Sequence, residues 1–102
     1  MIKLIDKNDK QEGILEGIDK LIAPVAPAVK DELTIILSKK NINFVLNLEN
    51  IKFIDSTGIG VLISALKTSR QNNGIFLLSS VNKDVMSLLT LMKLDKVFDF
   101  CN

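Results

Sequence analysis

The sequence predicts an α/β protein built on a partly parallel, mixed sheet with crossover helices. Three observations lead there. The apolar spacing switches several times between strand-like and helix-like. Helical stretches alternate with single strands, which is how parallel strands are joined. The run Ile75-Phe76-Leu77-Leu78 is apolar throughout, as in a central strand.

Taken in order, Ile2 and Leu4, then Ile14 and Ile18, lie on two short segments separated by the polar stretch Lys7–Gln11. They read as a strand, a turn and a second strand. Between Pro24 and Lys40, Val25, Val29, Leu33, Ile36 and Leu37 recur at three- and four-residue steps. That spacing is helical, and proline is tolerated in a first turn, so the helix starts between Pro24 and Pro27. Asn43-Phe44-Val45-Leu46-Asn47-Leu48 alternates and reads as a strand, with Ile51 to Asp55 leading out of it. A second helix is expected from Thr57 to Asn73, with Ile59, Leu62, Ile63 and Leu66 on one face, widened by Val61 and Ala65. Gly74 stands where a C-terminal cap glycine belongs. After the Ile75–Leu78 strand, Asn82 is placed to cap a third helix carrying Val85, Leu88, Leu89 and Met92, with Lys93 suited to its C-terminal dipole. Val97-Phe98-Asp99-Phe100 reads as a last short strand. The predicted order is β-β-α-β-α-β-α-β. Three crossover helices are few enough for one face of the sheet to carry them all.

Composition narrows the chemistry. The 102 residues fit one domain, spanning 1–102, with 47% hydrophobic and 25% charged residues. Thirteen Lys+Arg against twelve Asp+Glu leave a net charge of +1, which makes no electrostatic case for direct nucleic-acid binding or an anionic membrane. The absence of histidine excludes Ser-His-Asp and Cys-His catalysis within the chain. The single cysteine, Cys101, excludes an internal disulfide and a cysteine-built zinc site. It stands next to last, where chain ends often fray, and reads as a free thiol in a reducing cytosol. No apolar run approaches the roughly 20 residues of a membrane span, and Met1–Asp6 lacks the apolar core of a signal peptide. A cytoplasmic protein is expected, with no metal and no cofactor.

One segment departs from simple packing logic: Phe53-Ile54-Asp55-Ser56-Thr57-Gly58-Ile59-Gly60. Three polar residues end an apolar strand, and two glycines then enter a helix, where each costs about 1 kcal/mol relative to alanine. A close approach of something to the backbone, or tight packing of helix on sheet, would account for them. Ser56 is expected at or near the N-cap, its hydroxyl outward at the carboxyl edge of the sheet, where open α/β sheets place their sites. Asp-Ser-Thr is also a good capping cluster, so a helix cap and a functional hydroxyl both remain open for Ser56. Ile59 is open in the same way, between core and exposed apolar contact. The segment is neither a P-loop, since no Lys-Ser/Thr closes it, nor a dinucleotide fingerprint, since the third glycine is missing. Asp55 as a receiver-type phosphoacceptor would need a second pair of acids, and Asp19-Lys20 supplies only one. Asp95 and Asp99 read as solvated charges.

The stretch Phe53–Leu62 closely resembles the signature of STAS domains, specifically of the single-domain anti-sigma factor antagonists. Gly17-Ile18-Asp19 is similar to the Gly-x-Asp that precedes the family's first helix. Phe44–Leu48 looks like its central strand. Gly74–Leu78 and Leu94–Phe98 resemble its fourth strand and C-terminal element. The resemblance implies the STAS (SpoIIAA-like) fold, a four- to five-stranded mixed sheet with helices packed mainly on one face. It also implies partner switching: an antagonist binds an anti-sigma factor, often a serine kinase, and frees the sigma factor. A PP2C-type phosphatase reverses the phosphorylation. The family's phosphoacceptor falls on Ser56. Partner binding is expected of Asp19, Asp55, Thr57, Gly58, Ile59 and Gly60, with Asp19 and Asp55 as acids near the acceptor. The first helix departs from the family, with Leu21-Ile22-Ala23-Pro24 where a Thr or Ser is common.

These readings describe a monomer or weak dimer that is a kinase and phosphatase substrate and not itself an enzyme. A phosphate on Ser56 is expected to accept bonds from the Gly58 and Ile59 amides, and the two glycines to keep the partner surface low. The alternatives are a STAS subunit of a lipid-transport or stress-sensing complex, and a small nucleotide-binding protein.

Overall fold

In the computed structural model, which describes residues 1–101, the chain opens with a hairpin. Strand β1 (Ile2–Asp6) runs antiparallel to β2 (Gln11–Leu15), and Lys7 N–H donates to the Lys10 carbonyl at 2.8 Å to close the turn. A two-residue strand, β3 (Lys20–Leu21), precedes helix α1 (Ala26–Leu37). Then follow β4 (Asn43–Asn47), a second two-residue strand β5 (Phe53–Ile54), helix α2 (Ser56–Gln71), β6 (Ile75–Ser79), helix α3 (Lys83–Leu91) and β7 (Asp99–Cys101).

The main sheet has five strands in the order β1-β2-β4-β6-β7. Only β1 is antiparallel to its neighbour; β2, β4, β6 and β7 run parallel, as crossover helices require. Register separates the two faces. Gly13, Leu46, Leu78 and Phe100 align across four strands on the helix side, and Leu46 and Leu78 are fully buried there. Glu12, Val45, Leu77 and Asp99 align on the opposite side. The core unites Leu46, Leu78, Phe44 and Phe76 with Val29, Leu33 and Leu37 of α1, Ile59, Leu62 and Leu66 of α2, and Val85 and Leu89 of α3. Val45 and Leu77 take no part in it. The helices therefore cover one face, as expected. Gly13 is required here because a Cβ would meet the Phe44 ring at 2.6 Å and Ile2 at 2.8 Å.

Helix α1 begins at Ala26, between Pro24 and Pro27 as expected, on the non-capping Val25. Other boundaries differ from the sequence reading. Ile18 lies in the loop after β2 rather than in the strand. Asn82 caps α3 as expected, accepting from Val85 N–H at 2.8 Å, while its amide also donates to the Ile51 carbonyl at 2.7 Å. The last strand starts at Asp99 because Val97 and Phe98 are held in a turn on the Leu94 carbonyl. Cys101 is not frayed: it pairs with Ser79 in β7, half-buried and free of any disulfide.

The end of α2 corrects the expectation for Gly74. The left-handed residue is Asn73, with φ 58°. Gly74 N–H reaches back to the Ser69 carbonyl at 2.8 Å and Asn73 N–H to the Arg70 carbonyl at 3.2 Å, which together form a Schellman cap. Gly74 is needed for space, since a Cβ would lie 2.6 Å from the Ile42 carbonyl oxygen.

Candidate functional site

Two short strands build the site, and neither was visible in the apolar pattern. β3 pairs in parallel with β5, Lys20 beside Phe53 and Leu21 beside Ile54. This ribbon carries the loop after β3 to the start of α2. Asp55 follows β5 and is the N-cap of α2 in extended backbone (φ −94°, ψ −177°). Its Oδ1 accepts from Gly58 N–H at 2.8 Å, and its Oδ2 accepts from Ala23 N–H at 2.9 Å. Its own N–H donates to the Leu21 carbonyl at 3.3 Å, and its carbonyl accepts from Ile59 N–H at 2.9 Å. The Gly58 N–H, then that of Ala23, holds the Asp55 carboxyl below its ordinary pKa by stabilising the charged form.

This geometry removes the cap reading for Ser56. The cap is Asp55, and Ser56 is the first residue of the helix, exposed to solvent. Its hydroxyl is not needed to start α2. The expectation that a phosphate on Ser56 would bind the Gly58 and Ile59 amides is corrected as well. Both amides already donate to Asp55, one to its carboxylate and one to its carbonyl. A modifying group would have to share the helix N-terminus with a carboxylate that already holds it.

The two glycines separate into two cases. Gly58 is buried, and a Cβ there would collide with the Leu21 carbonyl oxygen and lie 2.8 Å from Ile54 Cγ2. Tight packing on β3 explains it. Gly60 is exposed, and a Cβ would meet nothing within 4 Å. Ile59 is core, at 2% exposure. The expected partner contacts through Gly58 and Ile59 are therefore corrected: both face inward. Thr57 and Gly60 remain outward, beside a shallow groove lined by Ala26, Pro27 and Lys30 of α1 and by Thr57, Gly60 and Val61 of α2.

Asp19 is exposed. Its carbonyl accepts from Lys52 N–H at 2.7 Å, at the far end of the β3–β5 ribbon. Asp19 borders a second shallow depression with Gly17, Glu49, Asn50 and Lys52. Sequence reasoning missed Leu21 and Ala23, which act through backbone atoms and so leave no mark on residue type. The one available signal was Gly58, whose packing partner is the Leu21 carbonyl. Among the described residues, no cluster of three His, Cys, Asp or Glu side chains is placed to hold a metal ion, and no helix is long and apolar enough to cross a membrane.

Comparison with known proteins agrees with the fold and sequence patterns. The chain is 29% identical over 80 residues to the anti-sigma-B factor antagonist of Listeria monocytogenes, covering 78% of this chain and 70% of that one. An anti-sigma-factor antagonist (STAS) domain protein of Planctomyces limnophilus superposes with a TM-score of 0.88 at 17% identity, covering 97% of this chain and 87% of the other. A sulfate transporter family protein of Wolinella succinogenes superposes with a TM-score of 0.72 at 22% identity over 87% of this chain and 75% of the other. At such identities these structures establish the fold, which serves more than one role. The STAS domain family model matches residues 5–102, and the chain accordingly belongs to the STAS domain family.

Proposed function

We propose that this protein is an anti-sigma factor antagonist, binding an anti-sigma factor in the cytoplasm and thereby releasing a sigma factor. A serine kinase, often the anti-sigma factor itself, phosphorylates Ser56, and a PP2C-type phosphatase restores it. The observation that carries this reading is the position of Ser56. It is exposed at the first turn of α2, and Asp55 relieves it of capping. The likeness to the Listeria monocytogenes antagonist supports the partner class.

The switch follows from electrostatics. A phosphate adds about −1.5 to −2 charges at neutral pH. Asp55, ionised beside it, keeps the local potential negative. A partner packed over Thr57 and Gly60 would then have to bury a solvated dianion. An uncompensated buried charge costs several kcal/mol, enough to weaken binding by orders of magnitude.

Intact mass and peptide fragmentation of the protein from its native cells test this reading. A phosphate on Ser56 in a condition-dependent fraction is expected. Ser56→Ala should fold normally and bind the anti-sigma factor constitutively, and Ser56→Asp should bind it more weakly. Unchanged modification of Ser56→Ala by the cognate kinase would place the acceptor elsewhere. Equal affinities of Ser56→Asp and wild type by calorimetry would remove the electrostatic argument.

A further inference from the structure

The Asp55 carboxylate grips two elements at once. Oδ1 holds Gly58 N–H within α2, and Oδ2 holds Ala23 N–H, 32 residues away, in the loop that leads into α1. The loop is otherwise lightly held. Val25 and Ala26 N–H donate to the Ile22 carbonyl, the α1 N-cap Val25 makes no side-chain bond, and Ala23 and Pro24 are exposed. The two bonds to Asp55 also differ in setting: the one from Gly58 is partly buried, the one from Ala23 is exposed.

We propose that Asp55 is the positioning residue of the switch: it joins the Ile22–Val25 loop to the start of α2 as one recognition surface, and a phosphate on Ser56 draws its carboxylate off Ala23. This rests on the reading of Ser56 as the modified residue. The phosphate sits on the adjacent residue and repels the carboxylate. The bond that yields is the one whose donor water can take over. Ala23 N–H is exposed and is rehydrated at little cost, whereas Gly58 N–H would be left buried and unpaired. The groove between α1 and α2, lined by Ala26, Pro27, Lys30, Thr57 and Gly60, adjoins this junction, Ala26 following Val25 and Thr57 following Ser56. Phosphate on one helix thereby alters the surface of two.

The test installs phosphoserine at position 56 of the full chain by genetic code expansion, so that no kinase is involved. Amide exchange is then read by NMR at Ala23 and Gly58. Asp55→Asn supplies the second arm, because its oxygen still accepts from Gly58 while its NH2 cannot accept from Ala23. In both forms Ala23 should exchange about five- to tenfold faster, the factor for one lost hydrogen bond, with Gly58 protected as before. Phosphoserine added to Asp55→Asn should accelerate Ala23 no further. Unchanged Ala23 exchange in the phosphorylated chain overturns the coupling. So does joint loss of protection at Ala23 and Gly58, which would mean general fraying of the helix. Release of Ala23 in the phosphorylated chain, with Ser56 never modified in native cells, supports the coupling and counts against the functional reading alone.

Discussion

Gly58 and Gly60 lie two residues apart in one helix, yet alanine should have opposite effects at the two positions. Glycine in a helix interior is worse than alanine by about 1 kcal/mol, so Gly60→Ala, with nothing within 4 Å of the new Cβ, should stabilise by roughly that amount. Gly58→Ala gains the same propensity term but drives a methyl group into the Leu21 carbonyl oxygen and to 2.8 Å from Ile54 Cγ2. Carbonyl oxygens do not swing aside as a side-chain tip does. Either β3 or the first turn of α2 must shift, and overpacking of this kind costs about 1–3 kcal/mol. A shift also strains the Asp55 N–H bond to the same Leu21 oxygen and the Gly58 N–H bond to Asp55, each worth a further 0.5–1.5 kcal/mol or so. Subtracting the propensity gain of about 1 kcal/mol leaves a net loss of about 1–5 kcal/mol. The two variants should therefore differ by roughly 2–6 kcal/mol, which for about 100 residues is a Tm gap on the order of 10–30 °C. Urea denaturation with a common m-value measures the difference directly. Equal stability of the two variants would refute the claim that the Leu21 carbonyl demands glycine at 58 and that Gly60 has no internal packing reason.

Stability should also respond to acid. The Asp55 carboxyl lies below 3.8 because backbone N–H groups, Gly58 first, favour its charged form, and that of Glu12 lies below 4.5 through Lys7, 3.1 Å away, and then Asn47. Folded values below the unfolded ones mean stabilisation that is present above about pH 4.5 and lost as pH falls through the folded values, so the urea midpoint should be level near neutrality and decline below about pH 4. Glu12→Gln should flatten part of that decline, and an unaltered acid limb would rule out its contribution. Lys93→Gly should stabilise by about 0.5–1 kcal/mol, because Lys93 occupies the left-handed region at φ 61° in the cap that ends α3. No gain in thermal midpoint would show that the lysine is not strained there.

The helices, the central strands and the polar cluster before α2 were legible in the sequence because each carries a local signal. Val29, Leu33 and Leu37 repeat with the helix and are buried as a set. Asn82 caps α3 through an acceptor three residues before Val85, a relation contained in one turn. The role of Asp55 was harder to see, because Asp, Ser and Thr are all competent caps and stand side by side. Which of them caps depends on where β5 ends, and β5 is only two residues long. No periodicity can declare a strand of that length; its pairing with β3, 33 positions earlier, defines it.

Sequence alone determined the alternation of the helices with the longer strands and the location of the polar turn, since these follow from local spacing, turn chemistry and apolar runs, while the one-sided helical layer was implied by the resemblance to STAS domains. Tertiary structure decided which residue caps α2, why Gly58 but not Gly60 is needed for packing, and that Ile59 faces the core. The physical reason is that these features depend on backbone atoms brought together across the chain. The Leu21 carbonyl and the Ala23 amide are common to any residue at those positions, and only the parallel pairing of β3 with β5 brings them to Asp55.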